Sequence, residues 1–435
     1  MNYLKRITYI ALITLGVNLP STAENLLDVY HVAKFNDTAI QQAQAALKAA
    51  AQRHRQSRSH LLPQADLTAD TAHSEQEVGD NSDSDSNWGY TLSITQSIYD
   101  RSNYDLLKQT DKLLAQSEAD YQAANQNLII RVAESYFDVL AAQDDLDFAK
   151  SEIEANARQL EQTKQRFEVG LIAITDVHEA QAAHDLAVAR KIVAENVMAS
   201  SIEALRELTG QYFENFNPLA KEIPLTRPEP PNPDTWAEEA MQNNLRIIAA
   251  QLSLESSKSE VRRQQAGHLP TVDLIGRHSY RDDAGASSNG ESLTDTSITL
   301  QLNIPLYRGG NTSALIKEAE SNYDQQLAEL AQIRRNVQRL TRDAYSSVLA
   351  NISQVQALHQ GIISTQSSLE ASQAGLEVGT RTTVDVLNTR RELFRAQRDH
   401  ARARYDYILS TLRLKEASGS LTGEDLEHIN ALLSN

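Results

Sequence analysis

The chain has 435 residues, a formal net charge of −17 at pH 7 and no cysteine. This acidic balance argues against nucleic acid as a partner, because binding phosphates requires clustered Lys and Arg side chains. The absence of cysteine excludes disulfides, and it excludes the acylated cysteine that anchors a lipoprotein.

The first 23 residues have the pattern of a secretory signal peptide. Lys5 and Arg6 precede an apolar stretch, residues 7–19, that is too short for a transmembrane helix, and small residues follow it. We expect residues 1–23 to be removed and the exported chain to begin at Glu24. No later apolar run reaches the roughly 18 residues of a transmembrane helix, so any membrane insertion would have to use β-strands.

The rest of the sequence consists of two similar halves, offset by roughly 208 residues. Leu62-Pro63-Gln64-Ala65-Asp66-Leu67 returns as Leu269-Pro270-Thr271-Val272-Asp273-Leu274, and Phe167-Glu168-Val169-Gly170 returns as Leu376-Glu377-Val378-Gly379. A proline cluster separates the halves, because proline interrupts helices and central strands. The predicted segments are a signal peptide at 1–23, a first repeat at 24–217, a Pro-rich linker at 218–233, a second repeat at 234–420 and a C-terminal tail at 421–435.

Each half is predicted to form a helix, two strands joined by a loop, a very long helix, a short break and another helix. Apolar residues recur at seven-residue spacing along both long helices, which is typical of a coiled-coil seam, and a four-residue step marks a stutter. The first long helix, from about residue 102 to 167, would be roughly 100 Å long. The seam residues are Leu107, Leu114, Tyr121, Leu128, Val132, Val139, Leu146, Ile153, Leu160 and Phe167, then Ile316, Tyr323, Leu330, Val337, Val348, Val355, Ile362, Leu369 and Leu376. An ordinary antiparallel coiled-coil scaffold would fit these helices equally well.

Four segments alternate between apolar and polar residues, which predicts half-buried strands. The pattern is clearest at residues 88–98 and 297–306 and weaker at 64–70 and 271–274. Each strand has about ten residues, the length that a tilted transmembrane strand needs. A soluble β-sandwich is the alternative, but it does not explain why the strands lie between coiled-coil helices. The side chains expected to face lipid are Trp88, Tyr90, Leu92, Ile94, Ile298, Leu300, Leu302 and Ile304.

Four strands cannot close a barrel. The eight strands of two chains would leave no channel, because side chains fill so small a barrel. Three chains supply twelve strands, so a conducting barrel predicts a homotrimer with cyclic symmetry. The predicted fold class is therefore an α+β membrane protein with long coiled-coil helices and four transmembrane strands in each chain.

The sequence contains none of the common motifs of nucleotide binding or hydrolysis, so neither an enzyme nor a cofactor is expected. His178-Glu179 and His184 resemble a zinc-protease motif only superficially. The two histidines are six residues apart and would not share one helix face.

The loops predicted near residues 74–87 and 282–296 are acidic and rich in small residues. The run that begins at Asp83 imitates the start of a calcium-binding loop. Trp88 and Ile94, however, occupy the positions where such a loop needs Gly and Glu. We therefore expect solvated acidic loops rather than a metal site.

The breaks after the two long helices are the candidate functional region. Gly170 and Gly379 stand where each long helix must end and the chain must turn. The following helices open with Thr175-Asp176 and with Asp385. An acidic residue in a first helical turn interacts favourably with the positive end of the helix dipole. These glycines and aspartates thus have a purely structural explanation beside a functional one.

Two segments around these breaks resemble the TolC family of outer-membrane channels. Residues 165–177 read Gln-Arg-Phe-Glu-Val-Gly-Leu-Ile-Ala-Ile-Thr-Asp-Val and residues 379–387 read Gly-Thr-Arg-Thr-Thr-Val-Asp-Val-Leu, and the resemblance extends over essentially the whole mature chain. It implies a homotrimer whose twelve-stranded β-barrel lies in outer-membrane lipid and continues into a periplasmic α-helical barrel. The implied function is a passive exit duct of a tripartite efflux pump or a type I secretion system. A periplasmic coiled-coil scaffold without channel activity is the alternative.

The same resemblance implies a gate at the periplasmic end, closed by the coiled coils. Asp385 would contribute a ring of carboxylates at the constriction. Arg381 would tether the inner coil to Thr175 and Asp176 and so hold the entrance shut.

Two gate positions depart from the family pattern. Asn388 stands where a second acidic residue is expected, and Leu376 replaces an aromatic residue. We therefore expect a gate that opens more easily and binds cations less strongly than the family pattern implies.

The turns themselves are similar to the family's docking sites for the hairpin tip of a periplasmic adaptor protein. The expected partners are this adaptor, an inner-membrane transporter that supplies the energy, and outer-membrane lipid. The residues carried over as docking sites are Val169, Gly170, Leu171, Val378, Gly379 and Thr380.

Overall fold

The structure is a computed structural model that describes residues 25–78, 81–213, 215–283 and 292–434. The predicted signal peptide, residues 1–23, lies outside the described residues. In chain order the elements are α1 (Leu26–Asn36), α2 (Thr38–Ser59), β1 (Gln64–Val78), β2 (Asn81–Tyr99), α3 (Arg101–Glu168), α4 (Ile174–Thr209), α5 (Pro233–Asn243), α6 (Leu245–Gln265), β3 (Thr271–Asp283), β4 (Ser292–Asn303), α7 (Asn311–Glu377), α8 (Thr383–Ser418) and α9 (Gly423–Asn430).

One order of elements occurs twice along the chain. The series α1, α2, β1, β2, α3, α4 is followed by the series α5, α6, β3, β4, α7, α8. The predicted four strands and two very long helices are thereby confirmed. The exact division into repeats and linker stays a prediction. The region predicted as a C-terminal tail contains α9, and Leu426 and Ile429 of α9 are buried in the main core.

The four strands form one antiparallel sheet in the order β1-β2-β3-β4. β1 and β2 are longer than the sequence predicted, because their pairing continues to Val78 and Asn81. Most of the loop predicted at residues 74–87 is therefore strand, and that prediction was wrong. Backbone groups pair across the hairpin whatever the polarity of the side chains, so an acidic composition did not mark a loop here. The side chains of Asp83 and Asp85 lie outside the described part.

The long helices α3 and α7 have 68 and 67 residues. α3 packs against α4, and α7 packs against α8, to form two helical hairpins that also contact each other through α3 and α8. The predicted seam residues are buried or half-buried along both helices, except Phe167, whose side chain is 40% exposed. Phe167 lies in the last turn of α3, and α4 does not begin until Ile174, so no facing helix covers it.

The main hydrophobic core lies at mid-length of the long helices, where short elements wrap around them. Tyr136 and Phe137 of α3 pack edge-to-face, and Phe137 stacks on Tyr405 of α8 at 5.5 Å between ring centroids. The stutter between Leu128 and Val132 coincides with this region. A stutter locally unwinds a coiled coil, which lets an additional face of α3 pack against α1, and α1 in turn contacts α9.

Among the helices that the structure describes, none combines the length and apolar character needed to cross a membrane.

Candidate functional site: the ends of the two helical hairpins

Both long helices end in the same kind of turn. Gly170 and Gly379 adopt φ values of 77° and 79°, in the left-handed region that glycine occupies without strain. The amide of Leu171 donates to the carbonyl of Arg166 at 2.9 Å, and the amide of Thr380 donates to the carbonyl of Gly375 at 2.8 Å. These bonds satisfy carbonyl groups at the helix end, as in a Schellman motif. The prediction that glycine terminates each long helix is confirmed.

The predicted docking residues around these turns are strongly exposed. Val169, Leu171 and Val378 are 70%, 74% and 76% exposed. A Cβ atom added at Gly170 or Gly379 would meet no atom within 4 Å. Each hairpin therefore presents a small apolar knob with open space around it.

The helices that follow the turns begin with acidic caps. Asp176 accepts from the backbone amide of Ala173 at 3.3 Å. Asp385 accepts from the backbone amide of Thr382 at 2.9 Å and from the Thr382 hydroxyl at 2.9 Å. The amide of Thr382, followed by its hydroxyl and the charge of Arg381, holds the pKa of Asp385 below its usual value. Both aspartates thus have the structural role that the sequence allowed.

The remaining predicted gate residues lie close to the second turn. The side chain of Arg381 lies over Gly375, where an added Cβ would stand 2.6 Å from Arg381 Cγ. Asn388 is exposed and Leu376 is half-buried. Within the described part of this single chain, the hydrogen bonds and ion pairs of Arg381 do not include Thr175 or Asp176. That link stays a prediction.

Arg390 makes a cross-hairpin contact that sequence reasoning missed. Its Nη1 atom donates to the carbonyl of Ala155 at 3.1 Å, and Nη2 approaches Oε1 of Gln159 at 3.5 Å. The contact joins α8 to α3 above the turns. The sequence did contain a signal for this contact. Arg390 comes four residues after Val386 and three before Leu393, and this spacing places it close to the apolar seam of α8.

One face of the sheet is apolar and exposed within the chain. Ile298 is 81% exposed, and the side chains at 300 and 302 of β4 and at 88, 92 and 94 of β2 are also exposed. Ile304 is exposed too, but it lies one residue beyond the end of β4, so the prediction of a strand to residue 306 was wrong. Tyr90 is half-buried because it stacks on Tyr280 at 5.8 Å, and Trp88 lies 5.2 Å from the same ring. Among the described residues, β1 and β4 each pair on one side only.

Among the described residues, no group of three or more His, Asp and Glu side chains is placed to hold a metal ion. His178 and His184 face solvent or are half-buried on α4, and His184 Nδ1 lies 3.2 Å from Asp185 Oδ1.

The sequence and the fold both have close parallels among known proteins. The pattern of the outer membrane efflux protein family matches residues 29–211 and 236–420. The chain is 40% identical to the outer membrane protein TolC of Vibrio cholerae over 412 residues, which cover 94% of each chain. It is 26% identical to the alkaline protease secretion protein AprF of Pseudomonas aeruginosa, over 94% of this chain and 87% of that one.

A solved structure shares the fold at lower identity. The outer membrane protein VceC of Vibrio cholerae superimposes with a TM-score of 0.78 at 19% identity, covering 91% of this chain and 96% of that one. Family and fold agree with the exposed apolar sheet and the two long hairpins described above. The chain therefore belongs to the outer membrane efflux protein family and is a TolC-like exit duct of the outer membrane.

Proposed function

We propose that three copies of this chain assemble into one passive duct, with a twelve-stranded β-barrel in the outer membrane and an α-helical barrel across the periplasm. The observation that carries the proposal is a four-stranded sheet that is apolar on one face and, among the described residues, unpaired at both outer edges. An open sheet edge cannot face lipid, because its backbone groups would lack hydrogen-bond partners. Pairing β1 of one copy with β4 of the next removes every edge, and twelve strands leave a lumen.

The ends of the hairpins form the gate of this duct. Asp385 and its symmetry copies form one ring of carboxylates, and Arg381 of one copy reaches Thr175 and Asp176 of its neighbour. The position of Arg381 supports this arrangement, because its side chain is exposed and is close enough to Asp385 to lower the pKa of that carboxyl group. Asn388 and Leu376 remove one acidic ring and one aromatic contact, so the closed state is held less tightly.

The exposed apolar turns are the docking points of a periplasmic adaptor. Docking covers Val169, Leu171 and Val378, and covering exposed aliphatic side chains is favourable at about 25 cal/mol per Å² of apolar surface. The adaptor connects the duct to an inner-membrane transporter, which supplies the energy. The chain itself carries out no catalysis.

The substrate class follows from the transporter rather than from the duct. The family is named for efflux, while AprF is named for protease secretion, so the chain can serve either route. Two measurements on a deletion strain separate the routes: accumulation of a fluorescent efflux dye, and the amount of protein exported to the medium. Raised dye accumulation that the restored gene reverses assigns the duct to small-molecule efflux. Lost protein export assigns it to secretion, and two unchanged readouts would overturn the proposed function.

A further inference from the structure

A cavity of about 480 Å³ lies between the two helical hairpins, above the turns. Its two walls differ in character. The wall from α3 includes Arg158 and Arg166, while α7 and α8 contribute apolar side chains that include Leu376 and Phe394. Arg390 reaches into the same space from α8. The cavity is large enough for a small organic molecule.

The positive charges of this cavity lack ion-pair partners in the part of the chain that the structure describes. Among the described residues, none of the arginines at 158, 166 and 390 forms an ion pair with a carboxylate. Glu377 also lines the cavity and is likewise without an ion pair in the described part. Three guanidinium groups therefore face one carboxylate, and the lining has an excess of positive charge.

The environment of Arg390 makes this excess positive charge destabilising. Its two described hydrogen bonds go to neutral oxygens of Ala155 and Gln159, although a guanidinium has five N–H donors. Burial, and secondly the charge of Arg158, lower the pKa of the Arg390 guanidinium from its usual value. A partly buried charge without a counter-ion is destabilising, and an anion supplied from outside the chain would relieve that cost.

We propose that this cavity binds a small organic anion, a carboxylate or sulfonate on a compact apolar body. Arg158 and Arg390 hold the anionic group, because a guanidinium donates two parallel N–H groups to such an oxyanion. The apolar body lies against Leu376 and Phe394, which are half-buried and so available for contact. This pairing of a charged wall with an apolar wall selects against both neutral molecules and inorganic anions.

Occupancy of the cavity would also affect opening, a consequence that rests on the gate proposed above. The bound anion touches Arg158 of α3 and Arg390 of α8, so it adds a bridge between the two hairpins. If opening separates α3 from α8, a ligand that binds only the closed arrangement shifts the equilibrium towards it.

Binding is tested on the full chain, purified as its detergent-solubilised assembly, by titration calorimetry with naphthalene-2-sulfonate. The neutral analogue naphthalene-2-methanol and sodium sulfate are titrated in parallel, with micelle blanks subtracted. The sulfonate is expected to bind at least tenfold more tightly than either comparator. Arg158→Gln and Arg390→Gln should each weaken binding at least tenfold. Arg335→Gln, an exposed arginine of α7 outside the cavity, is the matched control and should change nothing.

Arg390→Lys guards against a folding defect, since it keeps the charge and loses the two-pronged geometry. It should bind the sulfonate with an affinity between those of the wild type and Arg390→Gln. Equal affinity in Arg158→Gln, Arg390→Gln and the wild type would overturn the proposal, and so would equal binding of the neutral analogue. Channel recordings with the sulfonate then address gating separately. Unchanged opening despite confirmed binding would refute the bridge and leave the site standing.

Discussion

Thr382 and Asp385 cap the first turn of α8 reciprocally. The amide of Thr382 donates to Asp385 Oδ2 at 2.9 Å, and the amide of Asp385 donates to Thr382 Oγ1 at 3.2 Å. The same carboxylate is the residue that we propose for the charged ring of the gate. A change at Asp385 therefore alters helix order and pore charge together, and the two effects need separate measurements.

The cap is expected to weaken in acid. The pKa of Asp385 is lowered from 3.8, so the folded state favours the carboxylate. Its stabilising contribution is present above the ordinary pKa and is lost as pH falls through the lowered value. Hydrogen exchange of the amides at 383–387, corrected for intrinsic rates, should show less protection near pH 3 than near pH 6.

A variant pair tests this cap independently of pH. Asp385→Ala should expose the first turn of α8 to faster exchange at pH 7 and abolish the acid dependence. Glu392→Ala, which removes an exposed carboxylate from the middle of the same helix, is the control and should exchange like the wild type. If Asp385→Ala retains full protection, the cap does not order this turn.

Replacing glycine by alanine should change the free energy of unfolding in opposite directions at a turn and inside a helix. Gly379→Ala introduces a side chain at φ 79°, which should destabilise the fold by about 1–2 kcal/mol although the surrounding space is open. Gly361→Ala places alanine in the interior of α7, also in open space, and should stabilise it by up to about 1 kcal/mol. Chemical denaturation measures both free energies of unfolding. Equal signs for the two variants would contradict the argument from backbone conformation.

The two faces of β4 should respond differently to a charge. Leu300→Asp and Leu302→Asp are expected to abolish assembly in the outer membrane, because the carboxylate would have to enter lipid. Thr299→Asp and Gln301→Asp, on the opposite face of the same strand, should leave assembly intact. Membrane fractionation and gel analysis of the oligomer give the readout. Normal assembly of the leucine variants would show that this face does not contact lipid.

The gate should bind divalent cations weakly in single-channel recordings. In the gate that we propose, Asp385 supplies one carboxylate ring, and Asn388 leaves the position of the second ring uncharged. Asn388→Asp restores the second ring and should strengthen block by a divalent cation at least tenfold, since two rings attract the ion more strongly than one. Strong block of the wild-type channel would contradict the weakly charged gate.

Leu376 is the second gate position that departs from the family pattern. Substituting it tests the prediction that the gate opens easily. Leu376→Tyr provides a hydroxyl that can hydrogen-bond across the closed end, so it should lower the open probability. Leu376→Phe has similar bulk without the hydroxyl and serves as the control. Equal open probabilities for the two variants would indicate that bulk, rather than a hydrogen bond, governs closure.

Local sequence patterns were sufficient to predict most of the fold. Apolar residues at seven-residue spacing predict a coiled-coil seam, because this spacing returns each of them to the same face of the helix. Alternating apolar and polar residues predict the two faces of a strand, because successive side chains point to opposite sides of the sheet. Gly170 and Gly379 could be recognised because a left-handed turn tolerates few other residues. The acidic cap of α8 could also be predicted from the sequence, because Asp385 lies only three residues after its partner Thr382.

Longer-range features were decided only by the tertiary structure. Arg158 and Arg390 are more than 200 positions apart, and only the packing of α3 against α8 brings them to one cavity. Phe167 continues a perfect heptad, yet it is exposed because α4 begins too late to cover it. The β1–β2 hairpin likewise extends through acidic residues, because strand pairing depends on the partner backbone rather than on side-chain polarity. Periodicity determined which face of each element is apolar, and packing alone determined where those faces meet.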